Sequence, residues 1–213
     1  GVILEDDCVP SDSFFPYCSE LLDRYRDDKR IMMISGDNFI HKKQNYEFSY
    51  FFSRYHFIWG WATWRRAWAL YDVEMKQWPN VKNRHAFLDS FSDRYERSYW
   101  LDVLDQTYRG EIDTWDFQWA FSMWINNGLS ICPSSNLIKN IGFDGSATHT
   151  LRPNKVSDLE NLTLEFPLKH PPFCYRNDLF DRMSFETFFE KPDLFRRFYR
   201  KLKKEFYEIF KQS

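Results

Sequence analysis

The hydrophobic pattern at the start of the chain predicts two buried strands joined by a helix. Residues 2–4 and 31–34 are short apolar runs, which are typical of buried strands. Between them, apolar residues recur at three- and four-residue spacing over residues 11–26. This spacing indicates an amphipathic helix with Ser11 or Ser13 as its N-cap. Because a strand–helix–strand unit of this kind joins parallel strands, we predict an α/β fold.

The same patterns predict two more strands and four more helices further along the chain. The strands cover residues 48–53 and 129–132, and the helices cover residues 63–71, 85–91, 95–108 and 117–127. Gly128 follows the last of these helices, in the C′ position where glycine commonly ends a helix. Residues 140–161 are rich in Gly, Asn, Ser, Thr and Asp, which predicts a long loop.

The C-terminal residues 191–213 are predicted to form a basic amphipathic helix. Phe195, Phe198 and Leu202 begin an apolar face, and from Asp193 onward seven Lys and Arg residues outnumber three acidic ones. Two interpretations stay open. The helix either docks on its own domain or lies on an anionic membrane surface as a peripheral contact.

Charge and cysteine content narrow the class of protein. The 213 residues carry a formal net charge of −2, which gives no general attraction to nucleic acid. The four cysteines show neither a C-x-x-C pair nor zinc-ligand spacing, so we expect free thiols and a cytoplasmic location. No apolar run approaches the ~18 residues that a membrane span needs.

Aromatic residues make up 20% of the chain, with 22 Phe, 12 Tyr and 9 Trp. Most are expected to fill the core. Trp and Tyr side chains that line a cleft, however, also stack on sugar rings. The composition therefore fits a carbohydrate site as well as an aromatic core.

Three consecutive carboxylates, Glu5, Asp6 and Asp7, follow the first predicted strand. Open α/β sheets bind ligands at this end of their strands, and neighbouring carboxylates need a cation to offset their repulsion. Oxygen ligands suit Mn²⁺ or Mg²⁺, which also bind substrate phosphates. Asp7, the last of the three, would bind the metal. Glu5 and Asp6 would bind a ribose hydroxyl or metal-bound water. The alternative is a solvated acidic loop.

Asp116 lies at the start of a predicted helix, between Trp115 and Trp119. It either caps the helix or acts as a general base. Flanking tryptophans would partly desolvate its carboxylate, so the second interpretation predicts a raised pKa.

Two other motifs carry weaker signals. Gly60 lies between Trp59 and Trp61, which indicates either a close approach of the backbone to a ligand or a tight turn. His149 lies in the predicted long loop, and it is either a metal ligand or a surface residue.

Together and in this order, several strings resemble a bacterial family of GT-A nucleotide-diphospho-sugar transferases. Its members are described as haemolysin-related or family 2-like glycosyltransferases. They are distantly similar to eukaryotic β-1,2-N-acetylglucosaminyltransferases, which carry Glu-Asp-Asp in place of Asp-x-Asp. The strings that carry the resemblance lie at residues 4–7, 34–36, 59–64, 114–119 and 147–150.

The resemblance implies a GT-A, Rossmann-like fold with a mostly parallel sheet flanked by helices. The nucleotide-binding βαβ units that precede the acidic strand in the family are absent from this sequence. Residues 1–150 would therefore be the C-terminal part of the catalytic domain, which holds the metal and the acceptor. Residues 151–190 would be a loop-rich extension, and residues 191–213 a helical one. We expect this chain alone to bind the donor poorly and to be inactive.

The resemblance also implies an activity and a set of roles. The activity is metal-dependent transfer of a sugar, with inversion, from a nucleotide-diphosphate-sugar to a hydroxyl of a glycan, lipid-linked or protein acceptor. The implied roles are Mn²⁺ or Mg²⁺ binding for Asp7 and His149, donor binding for Glu5 and Asp6, general base for Asp116, and acceptor binding for Gly60, Trp61, Trp115 and Trp119.

Two other classes of function compete with this one. A metal-dependent phosphoesterase also uses carboxylates at strand ends, but the chain has only five histidines and no second dense carboxylate motif for a two-metal site. A non-catalytic carbohydrate-binding or membrane-associated module would use the aromatic residues and the basic C-terminal helix.

Overall fold

A five-stranded sheet organises the chain, with helices packed on both of its faces. The computed structural model describes residues 1–40, 46–91, 93–142 and 159–189. Its strands are β1 (Val2–Leu4), β2 (Cys8–Pro10), β3 (Ile31–Ser35), β4 (Tyr50–Ser53), β5 (Gly60–Thr63), β6 (Leu129–Pro133) and β7 (Ile138–Asn140). Its helices are α1 (Phe14–Arg24), α2 (Arg65–Trp68), α3 (Trp78–Val81), α4 (His85–Leu88), α5 (Arg94–Tyr108), α6 (Asp116–Ile125) and α7 (Asp178–Phe188). The predicted α/β class is confirmed.

The prediction of a mostly parallel sheet is wrong. The strand order is β1-β5-β3-β6-β4, and of the four strand pairings that the structure describes within this sheet, only β3–β6 is parallel. β1 and β3 do run in the same direction, but β5 lies between them and pairs antiparallel with both. The string at residues 59–64, expected to lead into a helix, supplies that strand, so the two strands flanking α1 do not pair.

The strand directions bring the ends of three strands to one edge of the sheet. β1, β3 and β6 all end there, while β5 begins there. The turn after β1 therefore lies near the residues that follow β3 and those that precede β5. A second sheet of two strands, β2 and β7, borders the same region and pairs Cys8 with Asn140.

Most predicted elements are present with shifted ends. Helix α1 lies within the predicted range 11–26, but Ser13, its N-cap, makes no side-chain capping hydrogen bond. Helix α6 is followed by Asn127 in the left-handed conformation (φ 53°), not by Gly128 as expected. Gly128 has a packing role instead, because a Cβ there would overlap the Met32 side chain.

The aromatic residues largely fill the core. Trp78, Trp100 and Trp119 are fully buried on the face of the sheet that α5, α6 and α7 cover. The opposite face packs against α1 through a smaller cluster. Within the predicted loop-rich extension, α7 contributes Phe180 and Phe185 to the larger core.

Several predictions fall outside the described residues. These are the metal role of His149, most of the predicted loop, and the basic helix at residues 191–213. The membrane contact of the basic helix and the cytoplasmic location of the protein stay predictions. In the ranges that the structure describes, no helix is both long and apolar enough to cross a membrane.

Candidate functional site

The acidic triplet forms a tight turn between β1 and β2. The Cys8 N–H donates to the Glu5 carbonyl oxygen at 3.1 Å, which closes the turn. Glu5 and Asp7 are partly buried, whereas Asp6 at the tip is exposed. The ligand atoms of Glu5, Asp7 and Cys8 lie within 4.8 Å of one another. The turn thus gathers two carboxylates and a thiol on its inner side.

The chemistry of this group fits a hard divalent cation held by the two carboxylates. Burial and the neighbouring charge of Asp7 raise the pKa of the Cys8 thiol, so the sulfur stays protonated and lies 3.5 Å from Asp7 Oδ1 as a weak donor. Burial, followed by the charges of Asp7, Asp116 and Asp6, raises the pKa of Glu5. A cation would offset that repulsion, and Mn²⁺ and Mg²⁺ prefer oxygen ligands. Glu5, predicted to contact the donor, thus joins Asp7 in one group.

Residues at the end of β7 enclose Asp7. The Ile141 N–H donates to the Asp7 carbonyl oxygen at 2.8 Å, and the Gly142 N–H donates to Asn140 Oδ1 at 2.8 Å. A Cβ on Gly142 would overlap the Asp7 carboxylate, so only glycine leaves this space open. No local pattern pointed to Gly142, because its contact with Asp7 joins distant parts of the chain.

A further buried carboxyl group, Asp37, follows β3 at the same edge. Its Oδ2 accepts the Trp59 N–H at 3.0 Å, while its Oδ1 has no partner among the described residues. Burial raises the pKa of Asp37 well above its ordinary value, because a buried site disfavours the charged form of the carboxyl. The charge of Glu5 also contributes to this shift. Asp37 was not predicted as a site residue.

Asp116 is the first residue of α6, as expected, but its pKa is lowered rather than raised. The Thr114 hydroxyl donates to Asp116 Oδ1, and His56 Nε2 lies 3.5 Å from Oδ2. Burial raises the pKa, but the hydrogen bonds from His56 and Thr114 and the His56 charge outweigh it. The predicted effect of the flanking tryptophans was correct in sign, whereas the two hydrogen-bond donors were missed.

The carboxylates of the turn and of α6 belong to one site. The charge of Asp116 contributes to raising the pKa of Glu5, so the two groups interact electrostatically. Glu5 follows Ile3 by two residues, and Ile3 pairs directly with Trp61 on β5. Ile3 and Trp61 both pack against the core on the face of the sheet that α6 covers, and Glu5 follows directly after β1.

An aromatic cleft of about 690 Å³ opens beside this site. Trp61 stacks on Trp115 with ring centroids 5.5 Å apart, and Trp68 stacks on Tyr71 at 4.5 Å. The Tyr71 hydroxyl donates to the Trp115 carbonyl oxygen at 3.3 Å, next to Asp116. The cleft is lined by Gly1, Ile3, Trp61, Thr63, Trp64, Arg65, Trp68, Tyr71 and Trp115. Trp68 and Tyr71 were not predicted, although their spacing on a helix was a usable signal.

Two of the predicted acceptor contacts are not in the cleft. Trp119 is fully buried in the core, so its assignment to acceptor binding is wrong. Gly60 is buried too, and a Cβ on it would lie 2.5 Å from Ile138 Cδ1. This glycine is required by packing between the two sheets, not by a ligand or a tight turn. Trp61 and Trp115 do line the cleft.

Comparisons with protein-family models, curated proteins and solved structures found no match. The chemical possibilities of the site therefore follow from its own residues. It combines two carboxylates suited to a cation, an ionised carboxylate supported by two donors, and an aromatic cleft between sheet and helix.

Proposed function

We propose that this chain is the metal- and acceptor-binding part of a GT-A glycosyltransferase, of the bacterial haemolysin-related or family 2-like kind. It would transfer a sugar from a nucleotide-diphosphate-sugar to an acceptor hydroxyl, with inversion. The observation that carries the proposal is the pair of carboxylates Glu5 and Asp7 in one turn, with Asp116 in electrostatic contact with Glu5, beside an aromatic cleft.

Glu5 and Asp7 are the residues that would hold Mn²⁺ or Mg²⁺. Such an ion, when bound, neutralises charge that develops on a departing diphosphate. Asp6 is exposed at the tip of the turn, where its carboxylate can accept a hydrogen bond from a donor ribose hydroxyl. On the other side, the Ile141 N–H donates to the Asp7 carbonyl oxygen, and Gly142 leaves space for the Asp7 carboxylate.

Asp116 would act as the general base. Its lowered pKa keeps the carboxylate ionised at neutral pH, which is the form that a general base needs. The acceptor hydroxyl oxygen attacks the anomeric carbon, the bond from that carbon to the diphosphate oxygen breaks, and the hydroxyl proton passes to Asp116. The nucleoside diphosphate departs with the bonding electron pair. An ionised carboxylate has about four acceptor sites, so the contacts with His56 and Thr114 leave room for the hydroxyl.

The aromatic cleft would bind the acceptor. Pyranose rings present C–H faces that pack on indole and phenol rings. Trp68 is 40% exposed and stacked on Tyr71, which makes this pair the most accessible aromatic surface of the cleft. An acceptor held there would lie next to Trp115, the residue that precedes the proposed base.

A carbohydrate-binding module without catalysis is the second candidate, because the cleft alone supports it. Asp116→Ala separates the two in the natural protein that contains this chain. A transferase would lose at least about 100-fold in turnover while glycan binding is retained, since the base acts on the reaction and not on stacking. Asp102→Ala, an exposed carboxylate on α5, is the matched control. Turnover that survives in Asp116→Ala would contradict the role of this residue.

A two-metal phosphoesterase has less support. Within residues 1–40, 46–91, 93–142 and 159–189, Glu5, Asp7 and Cys8 form the one group of three or more potential ligands. A two-metal site needs a larger set of carboxylate or histidine ligands. Hydrolysis of a simple phosphodiester by the natural protein would reverse this ranking.

A further inference from the structure

His56 is placed against Asp116 by the segment that joins β4 to β5. The histidine is only 5% exposed, and its Nε2 lies 3.5 Å from Asp116 Oδ2. The rings of Trp100, Phe117 and Trp124 surround the imidazole, with centroids 6.1 to 6.4 Å from it. The ring is therefore held in one orientation by packing on three sides.

The contacts of the two ring nitrogens assign the tautomer. Nε2 faces a carboxylate oxygen, which accepts a proton, whereas Nδ1 is buried and has no hydrogen-bond partner in the part of the chain that the structure describes. A proton on Nδ1 would have no acceptor among the described residues, whereas a proton on Nε2 faces the carboxylate, so Nε2 is the nitrogen that presents a proton to Asp116. The Nε2 side of His56 thus faces Asp116 Oδ2 across 3.5 Å, the outer limit for a hydrogen bond.

We infer that His56 is a positioning residue for Asp116, which it holds through Nε2 so that the carboxylate keeps one orientation while an acceptor hydroxyl binds. The inference rests on the proposed function, in which Asp116 is the base. A histidine that served the core alone would not need a carboxylate partner, and an apolar side chain would pack better among the three rings.

The other groups that face Asp116 do not replace His56. Thr114, two residues earlier in the chain, donates its hydroxyl to Oδ1. Glu5 on the β1 side repels the carboxylate electrostatically, since the two negative charges interact. Tyr71 borders the cleft, and burial followed by the charge of Asp116 raises its pKa, so its phenol stays neutral. Of these groups, His56 faces Oδ2, whereas Thr114 contacts Oδ1.

The test compares two substitutions in the natural protein that contains this chain. His56→Leu removes the donor, whereas His56→Gln keeps an N–H group on a side chain of similar reach. His85→Gln, at an exposed position on α4, is the matched control. Turnover and donor KM are measured from about pH 3 to about pH 8, a range that includes the ordinary pKa of an aspartate, and thermal melting at each pH confirms folding.

For His56→Leu we expect kcat to fall about 10- to 100-fold, the range for losing a hydrogen bond to a charged group. The donor KM should stay within about twofold, because His56 does not contact the donor. The acid limb of the rate profile should move to higher pH, since Asp116 would be protonated more easily. His56→Gln should recover most of the rate. An unchanged acid limb, or a Gln variant as impaired as the Leu variant, would overturn the inference.

A titration without turnover separates failure of this inference from failure of the proposed function. The carboxyl ¹³C signal of Asp116, assigned by its loss in Asp116→Asn, is followed against pH in wild type and His56→Leu. We expect its midpoint to rise in the variant. An unchanged midpoint overturns the pairing itself, whereas a wild-type protein that transfers no sugar overturns the proposed function.

Discussion

Trp61 and Trp115 stack with ring centroids 5.5 Å apart and planes inclined by 20°. Trp61 belongs to β5, which pairs with β1, and Trp115 is the N-cap of α6. The stack therefore fixes the start of α6 over the edge of the sheet where β1 ends. Asp116 and the acidic turn share a site for this reason, although they are far apart in the sequence.

Trp68→Ala should weaken glycan binding in the cleft. The exposed Trp68 ring offers a stacking surface, and the loss of one such contact should weaken binding about 3- to 10-fold. Calorimetry with a panel of pyranosides measures the change. Phe173→Ala removes an aromatic ring that is more exposed but lies outside the cleft, and it should leave binding unchanged. Equal losses in both variants would show nonspecific contact with aromatic surface.

Asp7→Asn should weaken Mn²⁺ binding by this chain at least about tenfold, because the site loses one of two carboxylate charges. The electron paramagnetic resonance signal of free Mn²⁺ gives the affinity directly. Asp12→Asn, an exposed carboxylate shortly after the turn, is the matched control and should bind Mn²⁺ as the wild type does. If Asp7→Asn and the wild type bind equally, the ion does not use this turn.

The free energy of unfolding should fall as the pH rises through the mildly acidic range, because Asp181 loses its proton there. Burial raises the pKa of Asp181 to about 6, although Ser53 and Arg176 contact the carboxylate. The folded state thus binds this proton more tightly than the unfolded chain, where the pKa is about 4. The bound proton adds about 3 kcal/mol to the free energy of unfolding. This contribution is complete below pH ~4 and is lost by pH ~7.

The measurement is urea unfolding of wild type and Asp181→Asn at several pH values. Because Asn resembles the protonated acid, the variant should gain stability relative to the wild type as the pH rises from about 4 to about 7. Asp178→Asn, an exposed position one turn earlier on α7, controls for the loss of a carboxyl group on this helix. A stability difference that does not vary with pH would refute this assignment.

Gly60→Ala should destabilise the fold by about 1–3 kcal/mol through overpacking against Ile138. Ile138→Val removes the methyl group nearest to the added Cβ. The double variant should therefore be less destabilised than the sum of the two single variants. Denaturant unfolding of all four proteins gives the coupling, and strict additivity would mean that Gly60 is required for some other reason.

Local patterns predicted the elements better than their arrangement. The apolar runs identified β1, β3 and β6, and the periodicity identified α1, α5 and α6. The pairing of β5 with two other strands depends on hydrogen bonds between distant residues, which no local pattern encodes. A similar limit applied to Trp119, because every residue from Gln118 to Trp124 is buried and the sequence does not show which face meets the core.

The site was predicted in part for the same reason. Glu5, Asp7 and Asp116 stood out because carboxylates at a strand end and beside tryptophans are unusual. His56 was missed because a single histidine within an aromatic segment has no distinctive neighbours. The role inferred for His56 depends on its contact with Asp116, which lies on α6, far along the chain.

The most direct test of the account is a screen of nucleotide-diphosphate-sugars for nucleoside-diphosphate release. The natural protein that contains this chain is assayed with Mn²⁺, beside Asp7→Asn and the control Asp12→Asn. We expect metal-dependent release from one donor, lost in Asp7→Asn and retained in the control. No release from any donor by a folded protein that still binds glycans would contradict the account and favour a carbohydrate-binding module.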